Sequence, residues 1–82
     1  MIALFAITTV GPQTIPMPLG STVLTTYAGS LVVEAATDAD MVPRSVWCAP
    51  IGGDVPAGGV FVGVVKVGAD VCVVYDLGEA GA

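Results

Sequence analysis

An all-β fold, a small barrel or sandwich with a C-terminal hairpin and an extended Pro-rich N-terminal segment, is what this sequence predicts. Three observations carry that prediction. Val60 to Leu77 holds two β-branched runs around Gly68-Ala69-Asp70, which is a hairpin pattern. The other apolar runs are short and separated by Gly, Pro or Asp, so no stretch sustains a helical period. Pro12, Pro16 and Pro18 fall within one apolar segment and exclude both a helix and a central strand there. At 82 residues the chain is expected to form a single domain, residues 1–82.

From the N-terminus, Ile2 to Thr9 reads as a strand, with Leu4, Ala6 and Thr8 on one face and Ala3, Phe5, Ile7 and Thr9 on the other. Gly11-Pro12 stops it. Residues 11–20 read as an extended, polyproline-like loop or arm in which Ile15, Met17 and Leu19 alternate with the later prolines. Such a segment either lies over its own core or crosses to a neighbour. Ser21 to Ala28 and Leu31 to Ala36 read as two strands around Gly29-Ser30. Thr37 to Asp40 fits the first turn of a helix, capped by Thr37 and cut short by Pro43. A calcium loop built on Glu34, Asp38 and Asp40 lacks the spacing, glycine and terminal glutamate of an EF-hand. Ser45 to Ala49 is a short strand with the only tryptophan, Trp47, read first as a core side chain and second as a contact. Pro50 to Gly59 is a glycine-rich loop without the Lys-Ser or Lys-Thr of a phosphate-binding loop. Gly78 to Ala82 is a short acidic tail.

For the C-terminal hairpin the charges favour a three-residue loop, Gly68 to Asp70. Val67 then faces Val71, Val65 faces Val73, Gly63 faces Tyr75 and Phe61 faces Leu77, all on one apolar face. A two-residue loop pairs Val67 with Asp70 and Phe61 with Asp76. The other face, with Val62, Val64, Cys72 and Val74, needs cover from a second sheet or another chain.

Composition narrows the function. Hydrophobic residues make up 55% of the chain and charged residues 11%, against about 25% charged in ordinary soluble domains. So few charges on so small a chain point to a surface partly covered by other subunits. A membrane is the competing explanation, and no apolar run approaches the roughly 20 residues of a spanning helix. The N-terminal run has no basic residue before it and prolines after it, so it does not read as a secretory leader. Two basic residues, Arg44 and Lys66, against seven acidic ones exclude a patch for nucleic acid. With no histidine, Ser-His and Cys-His nucleophilic pairs and most catalytic zinc sites are unavailable. No enzyme activity, cofactor or metal is expected. Cys48 and Cys72 read as buried free thiols, with a disulfide open to them only if their Cα atoms lie within about 7 Å.

One family resemblance adds to this. Residues 33–40 (Val-Glu-Ala-Ala-Thr-Asp-Ala-Asp), residues 55–65 with their Val-Gly-Val strand, and the closing Val71-Cys72-Val73-Val74-Tyr75 resemble the small head-decoration, or capsid-cement, proteins of tailed bacteriophages. The likeness covers about half the chain. It implies a short β-structured virion protein that stabilises a shell by apolar contacts between subunits. It also implies identical subunits, commonly trimers, and a major capsid or other virion protein as partners, in a particle assembled in the host cytoplasm. The Pro-rich N-terminal region, the tryptophan and the cysteines depart from that pattern. Under this reading Pro16, Met17, Pro18, Leu19 and Trp47 are the expected interface residues. The alternative is a small soluble β-barrel that binds a peptide or an apolar ligand near Trp47 or along a sheet edge.

Overall fold

The structure, a computed structural model, describes residues 1–79. Seven strands follow one another as β1 (Ile2–Ala6), β2 (Gly11–Pro18), β3 (Thr22–Tyr27), β4 (Ser30–Glu34), β5 (Met41–Pro50), β6 (Val60–Val67) and β7 (Asp70–Glu79). They form two antiparallel sheets in a small sandwich, one ordered β1-β4-β3 and the other β2-β5-β7-β6. The chain changes sheet between β1 and β2, again between β2 and β3, and finally between β4 and β5. Residues 80–82 of the expected acidic tail lie outside the described residues, while Glu79 ends β7.

The period-two pattern decides which side chains meet between the sheets. Leu31 and Val33 of β4 point inward from the small sheet. Val46 and Cys48 of β5, Val65 of β6, and Cys72 and Val74 of β7 point inward from the large one. Phe5 and Ile7 join them, as the expected face of the first strand requires. Cys48 and Cys72 are both free and fully buried, on neighbouring strands two residues out of register, since Cys48 pairs with Val74 and Pro50 with Cys72. Burial first, and then the neighbouring Cys72, push the Cys48 thiol up to about 12. Both cysteines therefore act as small apolar core residues.

The Pro-rich segment, expected as a polyproline-like loop or arm, is a paired strand over residues 11–18. It is β2, an edge strand paired with β5 along its whole length, Gly11 with Cys48 through Pro18 with Met41. Proline spacing makes this possible. Pro16 faces Pro43, and neither has an amide hydrogen, so that pair sits where strand amides point away from each other. Pairs of that kind recur at every second residue. Pro12, opposite Trp47, and Pro18, opposite Met41, fall in the same class, and no ladder bond is lost. Pro43 also explains why no helix forms after Thr37. The chain makes one turn at Thr37-Asp38 and is already extended at Met41, as the Pro16–Pro43 pair demands. The Leu19 amide bonds the Asp40 carbonyl at 2.8 Å and closes that end.

The C-terminal hairpin turns through two residues, not three. Val67 pairs with Asp70, Val65 with Cys72 and Gly63 with Val74. Gly68 supplies the positive φ, +60°, that a two-residue loop of this kind places first. A bulge at Val62 then shifts the register, so that Phe61 faces Tyr75 and Val60 faces Asp76. The charge argument for the longer loop fails because the bulge moves Asp76 off Phe61. The slip also turns β7 over: Cys72 and Val74 face the core together with Val65, whereas Val64, Lys66, Val71 and Val73 face outward.

One flank of the sandwich is pinched shut. Thr26 of β3 donates its hydroxyl to the Val64 carbonyl at 3.0 Å, and Gly63 leaves room for it, because a Cβ there would collide with the Thr26 side chain. The other end is held by the only arginine. Arg44 grips both carboxylate oxygens of Asp76, Nε to Oδ1 at 3.0 Å and Nη2 to Oδ2 at 2.7 Å, and donates through Nη1 to the Ser21 carbonyl at 2.7 Å. Ser21 hydrogen-bonds back to the Pro18 carbonyl, and Glu79 accepts from the Gly20 amide at 2.8 Å. Burial raises the Asp76 carboxyl, but Arg44 and the Gly78 amide outweigh it and hold the group below the usual carboxylate range.

Candidate interaction surface

Alternation along β5 sends Val46 and Cys48 into the core and Trp47 to the opposite face of the large sheet. The pairing carries that position across all four strands. Pro12 of β2 faces Trp47 of β5, Trp47 faces Tyr75 of β7, and Tyr75 faces Phe61 of β6. Three of the five aromatic residues thus stand in one row across the outer face. Phe61 and Tyr75 meet edge to face, with ring centroids 6.4 Å apart and planes at 73°. Gly59 brings its backbone up against Tyr75, where a Cβ would lie 3.0 Å from the Tyr75 Cβ.

Aliphatic side chains extend the row on one side. Val73 pairs with Val64, and Val71 lies one row further on, opposite Lys66. Phe61 is 61% exposed, Val64 53% and Val71 46%, so none of the described residues covers this face at β6 and β7. On the other side of Trp47 is an open depression of about 410 Å³ lined by Pro12, Gln13, Thr14, Ser45, Val46, Trp47 and Leu77. A second bulge forms its wall. Ser45 pairs with Gly78 and Val46 with Asp76, which leaves Leu77 as the extra residue of β7. Gln13, Thr14 and Ser45 give the depression its polar groups, and no charged side chain lines it.

The expected interface residues do not converge. Met17 is fully buried in the chain's own core and Pro18 is buried beside it, so neither is available to a neighbour. Pro16 is exposed and Leu19 is 53% exposed, at the far end of β2 from Trp47. Four residues of strand, about 13 Å, separate Pro16 from Pro12, which is the β2 residue that meets Trp47. Trp47 itself is half-buried and stands at the centre of the outer face. Sequence reasoning missed Pro12, Tyr75, Phe61 and Leu77 as its companions. The parity of the prolines holds a signal for Pro12, since it fixes which β2 residues share a face. The two bulges that place Phe61 and Leu77 have no comparable signal.

Acidic residues do not gather into a site. Among the described residues no three Cys, Asp or Glu side chains converge as metal ligands, and Glu34, Asp38 and Asp40 do not form a calcium loop. No protein-family model, curated protein or solved structure matches this chain.

Proposed function

We propose that this chain is a structural subunit of a larger assembly, of the shell-decorating kind that its sequence resembles, and that it docks through the outer face of the large sheet. The observation that carries this reading is the apolar surface beside the aromatic row on β6 and β7, where Phe61, Val64 and Val71 are each about half exposed or more. A face of this kind stabilises contacts at about 25 cal/mol per Å² of apolar surface removed from water. No proton-transfer step or cofactor enters the mechanism, which is mechanical. The partners are identical subunits and a larger shell protein, and the work done is resistance to separation of neighbouring shell subunits.

The test is sedimentation of the native-source lysate with mass spectrometry of each fraction. Stoichiometric recovery in a fast-sedimenting particle supports the reading. A Phe61→Asp variant that remains folded and leaves the particle places the contact on this face. Recovery only as a small soluble species overturns it.

The depression beside Trp47 favours a second reading, a binding module for a small apolar or peptide ligand. Its volume is that of a modest ligand, and Gln13, Thr14 and Ser45 supply orienting polar groups. The two readings separate on Trp47 fluorescence: a ligand in the depression changes it in the isolated chain, whereas shell docking changes it only when the particle is present.

A further inference from the structure

On the flank where β1 and β2 run, the sandwich has two unequal edges. Along β1 the backbone alternates. Met1 and Ala35 exchange both bonds, Met1 N to Ala35 O at 2.9 Å and Ala35 N to Met1 O at 2.8 Å, and the Ile7 amide bonds the Gly29 carbonyl at 3.0 Å. Odd-numbered residues therefore turn their amides and carbonyls to β4, and Ile2, Leu4 and Ala6 turn theirs away from it. Among the described residues no strand pairs with β1 on that side, because β1 ends the small sheet. On β2 the outward positions are Pro12, Thr14, Pro16 and Pro18, and three of those four carry no amide hydrogen. Edge prolines are a known protection against strand addition. The β2 edge has that protection and β1 has none along Ile2–Ala6: no proline, no charged side chain and no bulge.

We infer that β1 pairs antiparallel with β1 of a second copy of this chain, across a two-fold axis at Leu4. In that register Leu4 faces Leu4, and Ile2 of one copy faces Ala6 of the other. All three outward residues of each copy then exchange both backbone bonds. The two small sheets become one continuous sheet. Ile2 and Leu4, 60% and 59% exposed, line up with their counterparts on its outer face.

Charge placement argues for a second copy over a different strand. Each chain carries a net charge of −5, which opposes self-association, yet residues 1–33 contain no charged side chain. Two copies meeting through β1 bring together no charged side chain of that segment, and each Met1 ammonium, at either end of the contact, is already bonded to its own Ala35 carbonyl. Glu34 lies beside Ile2, and in the two-fold register that row continues through Ala6 and Ser30 of the other copy, so the two glutamates stand at opposite ends of the contact. Antiparallel edge pairing closes at two and leaves the aromatic face of the large sheet free. The inference therefore goes beyond the shell-docking reading and does not depend on it.

The experiment is sedimentation equilibrium of the full chain with amide hydrogen exchange from micromolar to millimolar concentration. The expected result is a species of twice the 8.1 kDa chain mass. Exchange at Ile2, Leu4 and Ala6 should slow roughly tenfold or more as concentration rises. Leu4→Pro removes an amide the isolated chain does not use, and Leu4→Lys places a charge at the two-fold. Both should give a folded monomer, and Phe61→Asp should leave the dimer intact. A wild-type monomer at millimolar concentration overturns the inference. So does a dimer without concentration-dependent protection of the three amides, or one abolished by Phe61→Asp and not by Leu4→Lys. If Leu4→Pro does not fold, Leu4→Lys and the wild-type exchange decide.

Discussion

Replacing Arg44 by Met should cost about 3 kcal/mol of stability, because Arg44 is the only cation among three separately positioned acceptors. Its guanidinium satisfies both Asp76 oxygens and the Ser21 carbonyl at 2.7–3.0 Å, and the two side chains are only 13% and 15% exposed. An exposed pair would be worth less than about 1 kcal/mol, and breaking a fully buried one costs about 3–5 kcal/mol. This pair lies near the buried limit, and Asp76 keeps only the Gly78 amide when Arg44 is gone. A chain of this size has roughly 4–12 kcal/mol in total. The expected fall in Tm, at about 4–8 °C per kcal/mol, is roughly 12–24 °C by circular dichroism. The double variant Arg44→Met with Asp76→Leu should regain at least half of the loss, since it removes the stranded charge. The pH dependence has a definite sign. Asp76 has a lowered carboxyl in the folded chain, so its contribution is complete above the unfolded value near 3.8 and is lost as pH falls through the folded value. In Arg44→Met burial outweighs the Gly78 amide and turns the Asp76 shift upward, so the sign reverses: protonation relieves the stranded carboxylate, and the deficit relative to the parent chain should shrink as pH falls. A Tm change under about 3 °C, or a double variant no better than the single one, refutes the view that this pair holds the end of the sandwich.

Three further outcomes follow from burial and backbone geometry. Met17→Ala should cost about 2–5 kcal/mol in urea unfolding, whereas Leu19→Ala should stay within about 0.5 kcal/mol, and similar losses would contradict their different burial. Ala28 has a φ of +49° beside Gly29 at +81°, in the tight turn between β3 and β4, so Ala28→Asn should raise stability by about 0.5–1 kcal/mol. A neutral or negative result there would mean that the turn carries no strain. Neither thiol should react with Ellman's reagent in the native chain at pH 8, and both should react in denaturant. Rapid native reaction would contradict the full burial of Cys48 and Cys72 and the raised Cys48 thiol.

Period and punctuation made the strands readable, and register was where reading failed. The inward set Ala3 and Phe5 of β1, with Ile7 just beyond its end, follows from alternation alone. The prolines of residues 12–18 argued correctly against a central strand, but they also suggested a polyproline-like loop or arm and not a paired strand. Only the facing Pro43 reveals that their even spacing suits an edge strand. The C-terminal hairpin shows the limit most clearly. Either loop length satisfied part of the pattern, and the bulge at Val62 let the shorter loop keep Phe61 away from Asp76. Bulges leave no composition signal when the extra residue is another valine. For the same reason Trp47 could be singled out while its row could not, since Tyr75 and Phe61 join it only through two pairings in correct register.

The strand order also sets how this chain must find its fold. Only β3–β4 and β6–β7 are hairpins of adjacent strands; β1 must wait for β4 and β2 for β5. Each of those closures spans about 30 residues, a loop-entropy cost met before any pairing repays it. Chains dominated by such pairings fold in milliseconds to seconds, not microseconds. During that interval the uncharged first strand has no partner. The Ala28-Gly29 turn shortens the wait, because it forms the β3–β4 template locally and offers β1 a ready edge. Crowded synthesis of this protein thus depends on how quickly one two-residue turn closes.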